Sequence, residues 1–233
     1  MARVLVLGDP HEPVCHPGYR RFGMWLRNKY KTTKTVILGD VCDHHGISFH
    51  AANPMCPGPN DEFKLTLEKI RKWYKTFPNA YVTLGNHDMR VLRLAESVNI
   101  PAKYLRDFKQ VWKTPKWKWV EDVRIDNVYY FHGTGRSGKT PAYNAMVDFG
   151  MSVCMGHCHS AAGIKWRTAP VHRQFGMDAG CGIDVDAWQF AYGKHMRQRP
   201  VLSAGVVIDG IPQHIIMPCG PGERFHKSRF RSK

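Results

Sequence analysis

No stretch of the chain approaches the roughly 18 consecutive apolar residues that a membrane-spanning helix needs, so a membrane-embedded function is not expected. The opening Met1-Ala2-Arg3 runs straight into a strand-like pattern without a charged region, an apolar segment or a cleavage site, which makes the cytoplasm the expected compartment. Cysteine is unpatterned: seven residues, an odd number with no repeating spacing, fit reduced thiols better than a disulfide framework. No linker is long enough to divide the 233 residues, so residues 1–222 read as one domain. Acidic side chains are the clearest shortage. Nineteen Asp and Glu against 34 Lys and Arg give a formal charge of +15 with His neutral. A surplus of that size favours a polyanionic partner, although a basic surface can also serve solubility alone. The basic tail at 223–233, with Arg224, Lys227, Arg229, Arg231 and Lys233, extends it and could touch phosphate backbones.

What the chain does have is one pattern repeated. Val4 to Leu7, Thr35 to Leu38 and Tyr81 to Leu84 are apolar runs, rich in β-branched residues, that end in glycine followed by metal-ligand side chains: Gly8-Asp9-Pro10-His11, Gly39-Asp40 and Gly85-Asn86-His87-Asp88. Such runs read as buried parallel strands, and in an open α/β sheet the edge outside their carboxyl ends is where sites form. Asp9 and His11, two residues apart in extended geometry, share one side. Between these strands, Tyr19 to Tyr30, Asp61 to Phe77, Met89 to Val98 and Leu105 to Trp112 read as helices; in the second, Phe63, Leu67, Ile70, Tyr74 and Phe77 recur at helical spacing. From Trp117 the alternation becomes that of paired strands, with Asp126-Asn127 as a hairpin turn. A second sheet is expected to begin there and to take in the segments Gln174 to Ala179, Val201 to Asp209 and Ile211 to Met217. Two of its strands end in imidazoles, at Phe131-His132-Gly133 and Gly156-His157-Cys158-His159.

Gly-Asp-x-His, Gly-Asp-x-x-Asp, Gly-Asn-His-Asp, a strand-end His and Gly-His-x-His, in that order over residues 8–159, resemble the five motifs of the calcineurin-like metallophosphoesterases. Any one of them is weak; five in order are specific. Met177 to Gly182 resembles the segment that follows Gly-His-x-His in that family. The resemblance implies an α/β fold, a two-sheet αββα sandwich, and a two-metal site in which Asp9, His11 and His159 hold one ion, Asn86, His132 and His157 the other, and Asp40 bridges them. Imidazole, carboxylate and amide oxygen without thiolate suit divalent Mn, Fe, Zn or Ni, with Mn foremost. Two such ions clamp a phosphate and acidify the attacking water. His87, at the family's non-ligand position, would act on the leaving oxygen with help from Asp88. Asp43, His44 and His45 are candidates for orienting ligands from behind, with turn capping as the competing reading. Single-domain relatives of this size are often encoded by bacteriophages, so a phage source, and hence a host cytoplasm, is expected.

Gly-Asp-x-x-Asp is followed by His44 where the protein-phosphatase version has Arg, and Asn-His is followed by Asp rather than Glu. Together with the charge, this favours a phosphodiesterase or nuclease acting on nucleic acid or nucleotides over a phosphomonoesterase. A non-catalytic nucleic-acid-binding protein has no use for seven metal ligands. Gly133 to Thr140 also satisfies the P-loop pattern G-x-x-x-x-G-K-T, which raises an ATPase. Three features weigh against that: His132 belongs to the metal set, Pro141 stands where the helix after a P-loop begins, and the preceding strand reads as a hairpin member. The alternative is a loop whose Gly135, Arg136, Gly138 and Lys139 grip substrate phosphates beside the scissile one.

Overall fold

The computed structural model describes residues 1–49, 55–184 and 199–219. In chain order the first half contains β1 (Arg3–Leu7), α1 (Tyr19–Tyr30), β2 (Lys34–Ile37), α2 (Pro59–Thr76), β3 (Ala80–Thr83), α3 (Arg90–Ser97), α4 (Phe108–Trp112) and β4 (Lys118–Val120). The second half contains β5 (Asp122–Ile125), β6 (Val128–Phe131), α5 (Pro141–Phe149), β7 (Ser152–Met155), β8 (Gly163–Ala169), β9 (His172–Asp178), β10 (Ser203–Ile208) and β11 (Ile211–Ile216). Two sheets result, in the orders β11-β10-β1-β2-β3-β4 and β5-β6-β7-β9-β8.

The period of two along each strand builds three apolar layers. In β1, Leu5 and Leu7 face a core shared with Phe22 and Leu26 of α1 and Ile70 and Trp73 of α2. Val4 and Val6, on the opposite face, join Val36, Val128, Tyr130, Cys154 and Phe175 between the sheets. A third cluster packs Ala142, Ala145 and Met146 of α5 on Val153 and Met155 of β7. The molecule is therefore an αββα sandwich in which the central parallel strands β1, β2 and β7 are buried on both faces, which is why they are continuously apolar.

The second sheet begins later than the sequence suggests. β4, with Trp119 packed beside Trp117, pairs in parallel with β3 at the edge of the first sheet, because these indoles join the helix-side core with Tyr74 and Phe108. β10 and β11 also belong to the first sheet rather than the second: β10 pairs antiparallel with β1 from Arg3↔Ile208 to Leu7↔Ala204. Asp126 and Asn127, at φ 48° and 63°, do make the tight turn between β5 and β6. On α2 the buried positions are Glu62, Thr66, Ile70 and Trp73, while Phe63 is half-exposed. Glu62 faces inward because its two carboxylate oxygens accept from the N–H groups of His45 and Gly46. The tail at 223–233 lies outside the described residues, and no helix among them is long and apolar enough to cross a membrane.

Candidate metal centre

β1, β2 and β3 are parallel neighbours in one sheet and β6 and β7 in the other, so their carboxyl ends meet across the sandwich. Asp9 and His11 follow β1, Asp40 follows β2, Asn86 follows β3, His132 follows β6, and His157 and His159 follow β7. The turns are tight: His11, Asp40 and His157 have φ values of 49°, 44° and 69°, the left-handed region in which non-glycine residues store strain. Two motif glycines are explained by space. A Cβ on Gly85 would stand 2.1 Å from Asp40 Oδ1, and one on Gly156 would stand 2.1 Å from Asp9 Oδ1.

Among the described residues the donor atoms converge as three groups, two of them joined at Asp40 and the third, His11, Asp43 and His87, beside them. Asp9, His11, Asp40 and His159 form one of the joined groups, and Asp40, His132 and His157 the other. His132 Nδ1 donates to the Leu38 carbonyl at 2.7 Å, an oxygen that can only accept, so it is Nε2 that presents the lone pair when the ring is neutral. That lone pair faces Asp40 Oδ2 at 3.3 Å, Asn86 Oδ1 at 3.0 Å and His157 Nδ1 at 3.2 Å. Likewise His11 Nδ1 donates to Asp43 Oδ1 at 2.9 Å, which turns Nε2 toward His159 Nε2 at 3.3 Å and Asp40 Oδ2 at 3.5 Å. His159 Nε2 lies 2.9 Å from Asp9 Oδ2, and Asp9 Oδ1 is buried without a hydrogen-bond partner. Lone pairs brought this close repel unless a cation or shared protons lie between them, so the residues fit a metal pair. Electrostatics agree. Burial opposes ionising Asp40, but His132, His87 and His11 hold it well below the usual carboxylate range. Burial lowers the His11 pKa, with His87 next in effect, which keeps the ring neutral as a ligand must be. His132 is driven the other way, up to about 10, as burial is outweighed by Asp40 and Asp9; a bound cation relieves the same field without a proton.

The residues behind the ligands sort by contact. Asp43 Oδ1 accepts from His11 Nδ1; burial works against its ionisation, yet the hydrogen bonds from His11 and His87 hold it ionised. His44 Nδ1 donates to the His87 carbonyl at 2.9 Å, so it fixes the main chain beside Asn86. His45 contributes its N–H to Glu62 at 2.7 Å and opens a short 3₁₀ turn. His87 Nδ1 donates to the Asp43 carbonyl at 2.7 Å; its Nε2 accepts from Arg90 Nη2 at 3.2 Å and stands 4.0 Å from Asp40 Oδ2. Asp88 needs a correction. Its carboxylate is fully buried and accepts from the N–H of Gly85, Val41 and Cys42 and from Cys42 Sγ. It ties the Asp40 loop to the Asn86 loop and positions ligands instead of assisting at the leaving group. Arg90 is the residue that sequence reasoning missed. Its Nη1 donates to the carbonyls of Asp43 and His44, and its spacing of three from His87 at the start of α3 was the available signal.

The glycine-rich loop borders this centre, since Cys158 Sγ, between two ligands, donates to the Arg136 carbonyl at 3.3 Å. Two grounds against a P-loop are corrected. β6 pairs in parallel with β7 across α5, so it is a βα strand as well as a hairpin member. Pro141 is the first residue of α5, where a missing N–H costs nothing. What remains against it is that His132 is in the metal set and that Lys139-Thr140 precedes the first helical turn. Gly135 and Gly138, at φ 85° and 98°, shape the loop. Arg136 is engaged elsewhere, paired with Asp148 and lying 5.1 Å over the Phe149 ring.

Comparison with curated proteins yields no match. Among solved structures, the chain is similar to Vps29 of Chaetomium thermophilum, at 12% identity and a TM-score of 0.44 over 91% of this chain and 84% of that one. It is also similar to YfcE, a phosphoesterase from E. coli, at 12% identity and a TM-score of 0.44 over 90% of each chain. TT1561 of Thermus thermophilus follows, at 8% identity and a TM-score of 0.43 over 92% of this chain and 98% of that one. The family model that matches is the calcineurin-like phosphoesterase, and it spans residues 2–178. With five strand ends bringing together side chains able to hold metal, and the family model matching residues 2–178, the chain belongs to the calcineurin-like phosphoesterase family.

Proposed function

We propose that this family member is a phosphodiesterase acting on nucleic acid or nucleotides, with Mn as the preferred ion pair. The observation that carries the reading is a two-centre ligand set within a chain of charge +15. A diester has one negative charge at the scissile phosphate but, in a polynucleotide, a row of others that only a basic surface accommodates. When bound, the ions supply Lewis acidity toward the phosphoryl oxygens and lower the pKa of water. The chain's own residues do the rest. Asp9, His11, Asp40, Asn86, His132, His157 and His159 present the lone pairs, and Asp43 and the Leu38 carbonyl hold His11 and His132 in the tautomer that does so. The His87 and His159 side chains are 20% and 23% exposed whereas Asp9 and Asp40 are buried, so substrate approaches from the imidazole side. His87 stands beside the centre with its ring held by the Nδ1 hydrogen bond to the Asp43 carbonyl; in the protonated ring that, against burial, Asp40 and Asp43 favour, Nε2 gives its proton to the leaving oxygen in place of accepting from Arg90. Lys139 lies on the loop beside the centre, free of the ion pair that occupies Arg136.

The deciding assay compares a bis-aryl phosphodiester, the corresponding aryl monoester and a single-stranded oligonucleotide with Mn added and after chelation. Faster turnover of the diester and cleavage of the oligonucleotide, both lost on chelation, are expected. Turnover confined to the monoester would identify a phosphomonoesterase instead, and ATP hydrolysis persisting in an Asp40→Asn, His132→Ala variant would revive the P-loop.

A further inference from the structure

Arg90 opens α3, and the turn that leads to it is fixed by main chain: the N–H of Met89 donates to the Gly85 carbonyl at 3.0 Å and that of Arg90 to the His87 carbonyl at 3.2 Å. Residues three apart in such a turn share a face, so the guanidinium comes to lie beside the His87 ring. Its Nη1 donates to the carbonyls of Asp43 at 2.7 Å and His44 at 3.0 Å, and its Nη2 to His87 Nε2 at 3.2 Å. Two of these acceptors are carbonyls and the third is an imidazole nitrogen, so none brings a negative charge. Among the described residues this half-buried cation pairs with no carboxylate. A charge drawn partly out of water is costly until an anion compensates it. The other cations bordering the centre are placed differently, since Arg136 is paired with Asp148 and Lys139 is exposed on its loop. Arg90 is braced by two carbonyls with Nη2 turned to the centre, one imidazole away from the shared ligand Asp40, whose Oδ2 stands 4.0 Å from His87 Nε2.

We propose that Arg90 is a phosphate anchor of this centre, donating from Nη2 to a non-bridging oxygen of the phosphoryl group that the candidate metal ligands surround. A guanidinium already fixed at one nitrogen presents the other with little further loss of rotamer freedom. A phosphoryl oxygen carries negative charge, and a charge-assisted hydrogen bond to it is stronger than the one to the imidazole nitrogen that it replaces. The exchange leaves His87 Nε2 to the leaving oxygen, and in that one respect the proposal rests on the part given to His87 above. The anchor itself concerns the phosphoryl group that diesters and monoesters share, so it does not stand or fall with the diesterase.

Calorimetric titration of the zinc-loaded protein with inorganic phosphate reads the anchor without turnover. Two variants are compared with the wild type: Arg90→Met, which keeps the length and drops the charge, and Arg90→Lys, which keeps the charge and drops the fork. Arg90→Met is expected to weaken phosphate by about tenfold or more, the loss of a hydrogen bond between charged groups. Its KM for the bis-aryl phosphodiester should rise in parallel while kcat changes less, with the metal content of the wild type by elemental analysis. Arg90→Lys should recover most of the phosphate affinity. Phosphate binding unchanged in Arg90→Met would overturn the proposal. So would an Arg90→Lys as weak as Arg90→Met, or metal lost from either variant, since Arg90 would then be a brace for the Asp43 and His44 main chain and nothing more. A wild type that binds phosphate through Arg90 yet hydrolyses no diester would sink the diesterase and leave the anchor standing.

Discussion

Asp40 Oδ2 stands within 3.3 Å of His132 Nε2 and 3.5 Å of His11 Nε2, so one carboxylate serves both halves of the centre. Asp40→Asn keeps the shape and removes the charge, and elemental analysis after Mn saturation should fall from close to two ions per chain to one or fewer; two ions retained with full activity would refute the shared ligand. His87 is tested by leaving group. His87→Ala should lower kcat by about 10² to 10⁴ on a poor leaving group, with unchanged metal content and a smaller loss on an activated aryl ester. Equal losses on both would count against it. Glu12 carries a pH prediction. Burial raises its carboxyl from 4.5 to about 7, against the Trp73 indole N–H that donates to Oε1 at 2.7 Å. Folding therefore tightens its proton, so its contribution to stability is full below about pH 4.5 and is lost as pH rises through about 7. Glu12→Gln should flatten the melting temperature over that window and raise it at pH 8; a variant whose pH profile parallels the wild type would show that Glu12 does not titrate there.

At the scale of elements, the centre depends on how closely strand ends approach. A methyl carbon added at Gly85 would stand 2.4 Å from the Asp40 nitrogen, both atoms fixed by main chain, so Gly85→Ala must push the β2 and β3 loops apart. We expect loss of the ion shared through Asp40 and at least a hundredfold drop in kcat/KM with the far-ultraviolet dichroism retained; normal metal content would show that the loops have slack. Much at this scale was legible locally. Tyr19 to Tyr30 is helical as its spacing indicates, and β1 to β3 run into their ligands. The α2 face was not, since Glu62 turns inward only because the main-chain donors of His45 and Gly46 lie there, and those come from a loop 16 and 17 residues away.

For the molecule as a whole, the +15 charge is the widest-ranging property, and it acts through salt. Binding of a single-stranded oligonucleotide should weaken with rising salt at a log–log slope of about −0.7 for each phosphate engaged, so three contacts imply a loss of about twentyfold between 50 and 200 mM. An affinity indifferent to salt would separate the surface charge from substrate binding and return it to solubility.

The residue string by itself determined the order of the candidate ligands along the chain and, through the family resemblance, the class of chemistry, because each candidate lies at the end of a local apolar run and a strand end is a property of a few neighbouring residues. The tertiary structure alone decided which strands share a sheet: β4, β10 and β11 joined the first, since an apolar alternating strand carries no label for its partner, and β10 finds β1 at the opposite end of the chain. It also decided the parts played by individual charges. Asp88 is tied to three main-chain donors and Arg136 to Asp148, while Arg90 reaches His87. Whether a charged group meets substrate or another residue depends on which atoms folding places within about 3 Å of it, a distance that sequence spacing does not encode across separate elements.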